Sequence, residues 1–239
     1  MSQQLLISFD LDNTLWDVDP TLVRAEHAME KWFDERFPGF AERFYTPTMG
    51  DLKNRVLLSQ PEIAKDVTQV RLAMYQQALQ EYGLPSEEAE QVAEQAFDVF
   101  YDWRQRIDLY PDVHITLDKL AERYELAALT NGNADVFHPA ISLNRYFGTV
   151  IRADQEGIAK PDPEIFERLA TKSGVSLERV IHVGDHPVDD VEGAVAAGAR
   201  AIWFNRHGAR RWRSEWATTP DAEVHSLQEL VSVIQNMEL

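Results

Sequence analysis

Between Val18 and Arg106 the apolar residues recur only at helical spacing, and this long stretch interrupts a pattern of another kind. Over 21–37 Leu22, Ala25, Met29, Trp32, Phe33 and Phe37 step by three and four residues, and Pro38-Gly39 ends the run. Pro47 and Gly50 are read as breaks, followed by a short helix carrying Leu52, Val56 and Leu57. Val70, Ala73, Met74 and Ala78 mark another helix, ending near Gly83 and Pro85. Ser86 is a plausible N-cap for a long helix with Ala89, Val92, Ala93, Ala96, Val99, Phe100 and Trp103 on one face.

Outside this block, short apolar runs alternate with helices. Leu5-Leu6-Ile7-Ser8-Phe9 has the composition of a strand buried on both faces. Later strands are expected at 126–130, 149–153, 180–184 and, as the last of the core, 200–204. Helices are expected from Asp112, from Asp162-Pro163 to Gly174, up to Gly198, and after the capping box Ser226-Leu227-Gln228-Glu229. Such alternation predicts a Rossmann-like, doubly wound α/β core with a mostly parallel sheet. The first strand is separated from its partners by the helical block, so the block reads as an insertion. The expected division is an α/β core at 1–17 and 107–239 and an all-helical cap at 18–106.

The 239 residues suffice for such a core, and 44% of them are hydrophobic. A net charge of −17 argues against non-specific binding to nucleic acid or anionic membranes. No apolar run approaches the roughly 20 residues of a membrane span, and the start Met1-Ser2-Gln3-Gln4 has no basic signal region. The chain has no cysteine, which excludes disulfides, thiolate metal sites and cysteine nucleophiles and is compatible with a cytoplasmic life; a monomer or homodimer is expected. An anionic substrate would need a local positive site: a metal, a lysine or backbone N–H groups.

Ligands in sheets of this kind sit beyond the carboxyl ends of the strands. Polar clusters fall there along the whole chain. Asp10 and Asp12, two apart on an extended segment, can face one small volume. Thr130-Asn131-Gly132 offers a hydroxyl, an amide and backbone N–H groups, a cradle for a phosphoryl oxygen. Lys160 stands in Ala159-Lys160-Pro161-Asp162-Pro163, and Gly184-Asp185 precedes Asp189-Asp190. Singly, each has an ordinary reading: a turn, a solvated lysine, a helix cap.

In this order and at these strand ends, the motifs together resemble the haloacid dehalogenase-like (HAD) superfamily, and the helical insert resembles its first type of cap. The resemblance implies phosphoryl transfer through an aspartyl-phosphate. Asp10 is then the nucleophile and Asp12 the proton carrier, while Thr130, Asn131 and Lys160 bind the phosphoryl oxygens. Mg²⁺ is held by Asp10, the backbone carbonyl of Asp12, Asp185 and an acid of the last motif. Asp189 and Asp190 both fit that place, and the run from Asp190 to Gly198 matches better with Asp190. Asp12 itself favours a phosphatase or phosphomutase, because a departing halide needs no proton.

Within the insert, Pro61 to Thr68, Val70-Arg71 and Trp103 to Ile107, and beyond it Thr130 to Ala134, are similar to a bacterial subgroup. That subgroup dephosphorylates flavin mononucleotide (FMN) and the ribitylaminouracil phosphate of riboflavin synthesis. A small phosphorylated metabolite of this kind is the expected substrate. Alternatives are a pyrimidine nucleotide or sugar phosphate, a phosphomutase reaction, or ligand binding without catalysis. Trp16 is the aromatic expected to touch substrate, with Arg71 or Arg106 at polar ring edges. Trp32, Phe33, Phe100 and Trp103 are read as the insert's own core, and the basic run from Arg206 to Arg213 as a solvated loop without a role.

Overall fold

The computed structural model describes residues 4–45, 49–208 and 210–238. The break expected at Pro47, the first three residues of the signal-region reading, and Ala209 of the basic run lie outside them. The run Leu6–Phe9 forms β1, buried at every position. It pairs in parallel with β2 (Glu125–Thr130) on one side and β4 (Val180–Gly184) on the other. With β3 (Phe147–Arg152), β5 (Arg200–Phe204) and β6 (Ala222–Val224), the sheet runs β3-β2-β1-β4-β5-β6, and every pairing is parallel.

A central parallel strand must be covered on both faces. Side chains alternate along β1, so Leu6 packs with Leu129, Ile165, Phe166 and Trp203 on one face, while Ile7 and Phe9 pack with Leu117, Phe204 and Leu230 on the other. Helices α6 (Val113–Ala121) and α10 (Glu229–Met237) cover the second face, and α8 (Pro163–Ser173) and α9 (Gly193–Ala197) the first. This is the doubly wound sheet expected from the alternation.

Boundaries shift where local cues are weak. β3 starts at Phe147 and ends at Arg152, because Ala153 already opens the short helix α7 (Ala153–Glu156). β6 follows what was read as the last strand; three residues with one buried side chain give no periodicity to detect. At the terminal helix Ser226 Oγ donates to Glu229 Oε1 at 2.8 Å.

Between β1 and β2 stand α1 (Val18–Asp34), α2 (Phe40–Phe44), α3 (Met49–Ser59), α4 (Val67–Tyr82) and α5 (Ser86–Arg104). Gly50 lies in the first turn of α3 and breaks nothing, and Pro85, not the Ser86 side chain, precedes α5. These helices bury their stripes against one another in a core of their own, with Met29, Phe33, Phe40, Tyr75, Leu79 and Phe100 at its centre. Phe33 and Phe40 stack at 4.4 Å, while Trp32 and Trp103 lie at the edge of this core, half-buried. The insert therefore leans on the sheet without sharing its core. No helix among the described residues is long and apolar enough to cross a membrane.

Candidate active site

Asp10 follows β1 directly, its backbone N–H donating to Val183 O at 2.8 Å. That bond carries the strand register one residue past the sheet edge and turns the carboxylate toward β4. Asp10 Oδ1 accepts from Lys160 Nζ at 2.8 Å and Oδ2 from Thr14 Oγ1 at 3.3 Å. Lys160 Nζ spends its other protons on Leu129 O (2.9 Å) and Asp190 Oδ1 (2.5 Å). Asp190 also accepts from His182 Nε2 at 3.1 Å and from the His186 backbone N–H at 2.8 Å, and His182 Nδ1 meets Ser8 Oγ at 3.0 Å. The neighbouring Asp189 pairs instead with His186 at the surface. Both acids line the small pocket over the site, Asp190 buried against Lys160 and Asp189 partly exposed at its rim. A Cβ on Gly184 would lie 2.2 Å from Asp190 Cγ, so only glycine lets the strand pass beside that carboxylate.

Asp10, Asp185 and Asp190 each bring a carboxylate oxygen within 4.8 Å of the others. Lys160 is the cation buried among them. Burial drives the Asp10 carboxyl well above its ordinary range despite Lys160. Burial, then the charge of Asp190, pushes Asp185 up to about 6. Burial works against ionisation of Asp190 too, but Lys160 and the His182 hydrogen bond outweigh it and hold that carboxyl below the ordinary range. Such a surplus of negative charge out of water is costly. An all-oxygen donor set of this kind fits a hard divalent cation such as Mg²⁺.

Thr130 and Asn131 complete the edge. Thr130 Oγ1 accepts from the Gly132 N–H at 3.0 Å, which leaves its own proton to donate. The Asn131 amide bridges the Lys160 backbone, accepting from N (2.8 Å) and donating to O (2.9 Å). Its side chain therefore holds two motif loops together beside the small pocket that Asn131 lines.

Asp12 stands apart from the acid cluster. Its Oδ1 accepts from Trp16 Nε1 at 2.8 Å, and Arg104 Nη2 reaches Oδ1 at 2.7 Å and Oδ2 at 2.5 Å. Trp16 is fully buried, which corrects the expectation that it meets substrate: the indole orients an acid. Arg104, at the last turn of α5, is 2% exposed and was not singled out in the sequence. Gln105, next in the chain, is also buried; its Oε1 accepts from Asp135 N at 2.8 Å. The available signal was the likeness of the stretch Trp103 to Ile107, which contains both, to the bacterial subgroup. Arg106 turns outward, paired with Asp102 and lying 4.0 Å over the Trp103 ring. Arg210 corrects the reading of the basic run: it lies 3.5 Å from Asp185.

Two cavities meet at Asp12. One of about 230 Å³ lies over Asp10, Thr130, Lys160, Asp185 and Asp190. The other, about 480 Å³, opens beneath the helical insert and is walled mostly by apolar side chains. Asp12 and Gly132 line both. A Cβ on Gly132 would sit 2.5 Å from Asp12 Oδ2 and 3.2 Å from Arg104 Nη2, so a side chain there would close the passage.

The family model of haloacid dehalogenase-like hydrolases matches residues 5–198. The chain belongs to that family. It is similar to the 5-amino-6-(5-phospho-D-ribitylamino)uracil phosphatase YigB of Escherichia coli (strain K12), 34% identical over 231 residues and covering 95% of each chain. A phosphoserine phosphatase of Thermus thermophilus is 36% identical over 164 residues, 67% of this chain and 63% of that one. Among solved structures, a 2-haloacid dehalogenase from Pseudomonas syringae pv. Tomato DC3000 superposes with a TM-score of 0.89 at 36% identity, covering 98% of this chain and 100% of that one.

Proposed function

We propose that the chain, a phosphatase of the haloacid dehalogenase-like family, hydrolyses 5-amino-6-(5-phospho-D-ribitylamino)uracil or FMN through an aspartyl-phosphate on Asp10. The observation that carries this reading is the position of Asp12. It stands between a small polar pocket with room for a phosphoryl group and a larger chamber, walled by apolar and some charged side chains, with room for what the phosphate leaves behind. Asp10 attacks phosphorus in line, and the P–O bond to the leaving group breaks as Asp12 gives that oxygen a proton. Asp12 then takes a proton from water, which attacks phosphorus, releases phosphate and restores Asp10. Thr130 Oγ1, the Asn131 backbone and Lys160 bind the phosphoryl oxygens, where charge accumulates. Asp10, Asp185 and the Asp12 carbonyl, with Asp190 in support, would hold Mg²⁺, which supplies charge neutralisation between an anionic nucleophile and an anionic ester. The helical insert acts as the cap that selects the leaving group.

A phosphate-release panel tests this. The ribitylaminouracil phosphate and FMN should show the highest kcat/KM, above phosphoserine, uridine monophosphate and sugar phosphates. A preference for phosphoserine would overturn the substrate. The likeness to a 2-haloacid dehalogenase favours a second reading, halide displacement by Asp10, which chloride release from 2-chloropropionate decides. Asp12 has no task in that reaction.

Asp185 must be ionised to bind the cation, and burial, then the charge of Asp190, pushes its carboxyl up to about 6. It is charged above that pH and protonated below it, so protons compete with the metal at Asp185 only on the acid side. Burial raises the Asp10 carboxyl as well, so the Mg²⁺ concentration for half-maximal activity should rise by at least about tenfold per unit as the pH falls below 6. Magnesium titrations at several pH values measure this, and a constant requirement would refute it.

Arg104→Met is expected to leave Asp12 anchored by Trp16 alone and to lower kcat about 10²-fold, since small displacements of a reacting group cost that much. The kcat loss should exceed any change in KM. A change confined to KM would make Arg104 a substrate ligand instead.

A further inference from the structure

The large chamber is built from helical stripes. Val18, Leu22 and Glu26 come from α1, Val67, Val70, Arg71 and Met74 from α4, and Phe100 and Arg104 from α5. Val18 adjoins the catalytic loop, its N–H donating to Asn13 Oδ1 at 3.2 Å. Glu26 is eight residues further, about 12 Å along the helix axis. The chamber therefore has a catalytic end and a far end, and the far end carries a charged pair.

Arg71 Nη2 lies 2.9 Å from Glu26 Oε1. Tyr45 donates its phenolic proton to Glu26 Oε2, and Arg71 Nη1 reaches Tyr75 Oη at 3.1 Å. The guanidinium also lies 3.6 Å over the Phe100 ring, which fixes its plane. The pair is held rigidly, yet 31% of the Glu26 side chain and 18% of the Arg71 side chain stay accessible. Packing does not require it, because apolar residues of similar volume commonly replace a buried ion pair without loss of stability.

Its chemistry is selective. The pair is neutral overall and sets an acceptor beside a donor. At the pair itself a ligand carboxylate would meet Glu26 and a ligand ammonium would meet Arg71, with Lys53 of α3 a further cation on the chamber wall. What complements both is an N–H beside a C=O, the edge of an imide, ureide or lactam. Leu22, Val70, Met74 and the Phe100 ring favour a flat, weakly polar body ahead of that edge. We propose that Glu26 and Arg71 are the specificity-determining residues of this enzyme, reading the donor–acceptor edge of a neutral heterocycle carried at the far end of a long phosphate ester. This rests on the leaving group occupying the chamber. It adds which residues select it and by what group.

The test compares FMN, which carries an imide edge, with ribitol 5-phosphate, which has the same phosphorylated chain and no ring. Glu26→Gln keeps the side-chain volume and an oxygen for Tyr45. Arg71→Met removes the donor. Each should lower kcat/KM for FMN about tenfold more than for ribitol 5-phosphate, mainly through KM, as expected when a ring N–H or C=O loses its partner. Because the readout is a ratio within one preparation, a smaller folded fraction does not alter it. Equal losses on the two phosphates, or none on either, would overturn the proposal. Should the wild type prefer uridine monophosphate to both ribityl esters, the proposed substrate fails. The same ratio, taken between uridine monophosphate and ribose 5-phosphate, then decides the role of the pair.

Discussion

Asp10→Asn is expected to reduce phosphate release by about 10⁴-fold or more, the scale seen when a covalent nucleophile is removed. The fold should survive the change. Asparagine keeps an oxygen for the Lys160 Nζ hydrogen bond, now 2.8 Å long. Burial already drives the Asp10 carboxyl toward its neutral form, and the charges of Asp190 and Asp185 push the same way, so a neutral side chain relieves repulsion. Steady-state phosphate release and a thermal melt measure the two halves of the claim. An intact melt with activity within tenfold of wild type would exclude Asp10 as nucleophile.

For Asp12→Asn the size of the loss should depend on the leaving group. General acid catalysis contributes roughly 10²–10⁴-fold when the departing oxygen is a poor leaving group. FMN leaves an alkoxide and should suffer that loss. 2,4-Dinitrophenyl phosphate leaves a stable phenolate and needs no proton, so its first step should be nearly intact. Its second step still lacks a base. The variant should therefore give a burst of dinitrophenolate equal to the enzyme concentration, followed by slow turnover. Equal losses on both esters with no burst would mean that Asp12 only shapes the site.

Residues whose roles depend on strand ends were legible in the sequence. Asp10, Thr130 and Asp185 each end or follow an apolar strand, and a parallel sheet must gather such positions on one edge; Lys160 stands in the loop between α7 and α8, eight residues past β3, and reaches that edge through tertiary structure. The sequence left Asp190 open against Asp189; what the turn after β4 adds is that the Asp190 carboxylate accepts from Lys160 and His182, while Asp189 pairs with His186 at the rim of the same pocket. Trp16 was misread because adjacency to a catalytic loop says nothing about which way an indole faces. The strand β6 escaped because three residues carry no period.

Of the residues contributed by the insert, Arg71 was legible as a candidate for a polar ring edge, but no local pattern marked Arg104 or Glu26. Arg104 and Asp12 are far apart in the chain and meet only because α5 returns to the core at Gln105. Glu26 and Arg71 belong to separate helices whose stripes were read correctly as apolar, and their pairing follows from how α1 and α4 cross. The sequence by itself determined the sheet, the placement of Asp10, Thr130 and Asp185 at its edge, and the presence of a helical insert. Local propensity and the period of apolar residues specify those features. Tertiary structure decided what holds Asp12, where the chamber lies and which charges face it, because those are contacts between elements whose separate sequences carry no record of each other.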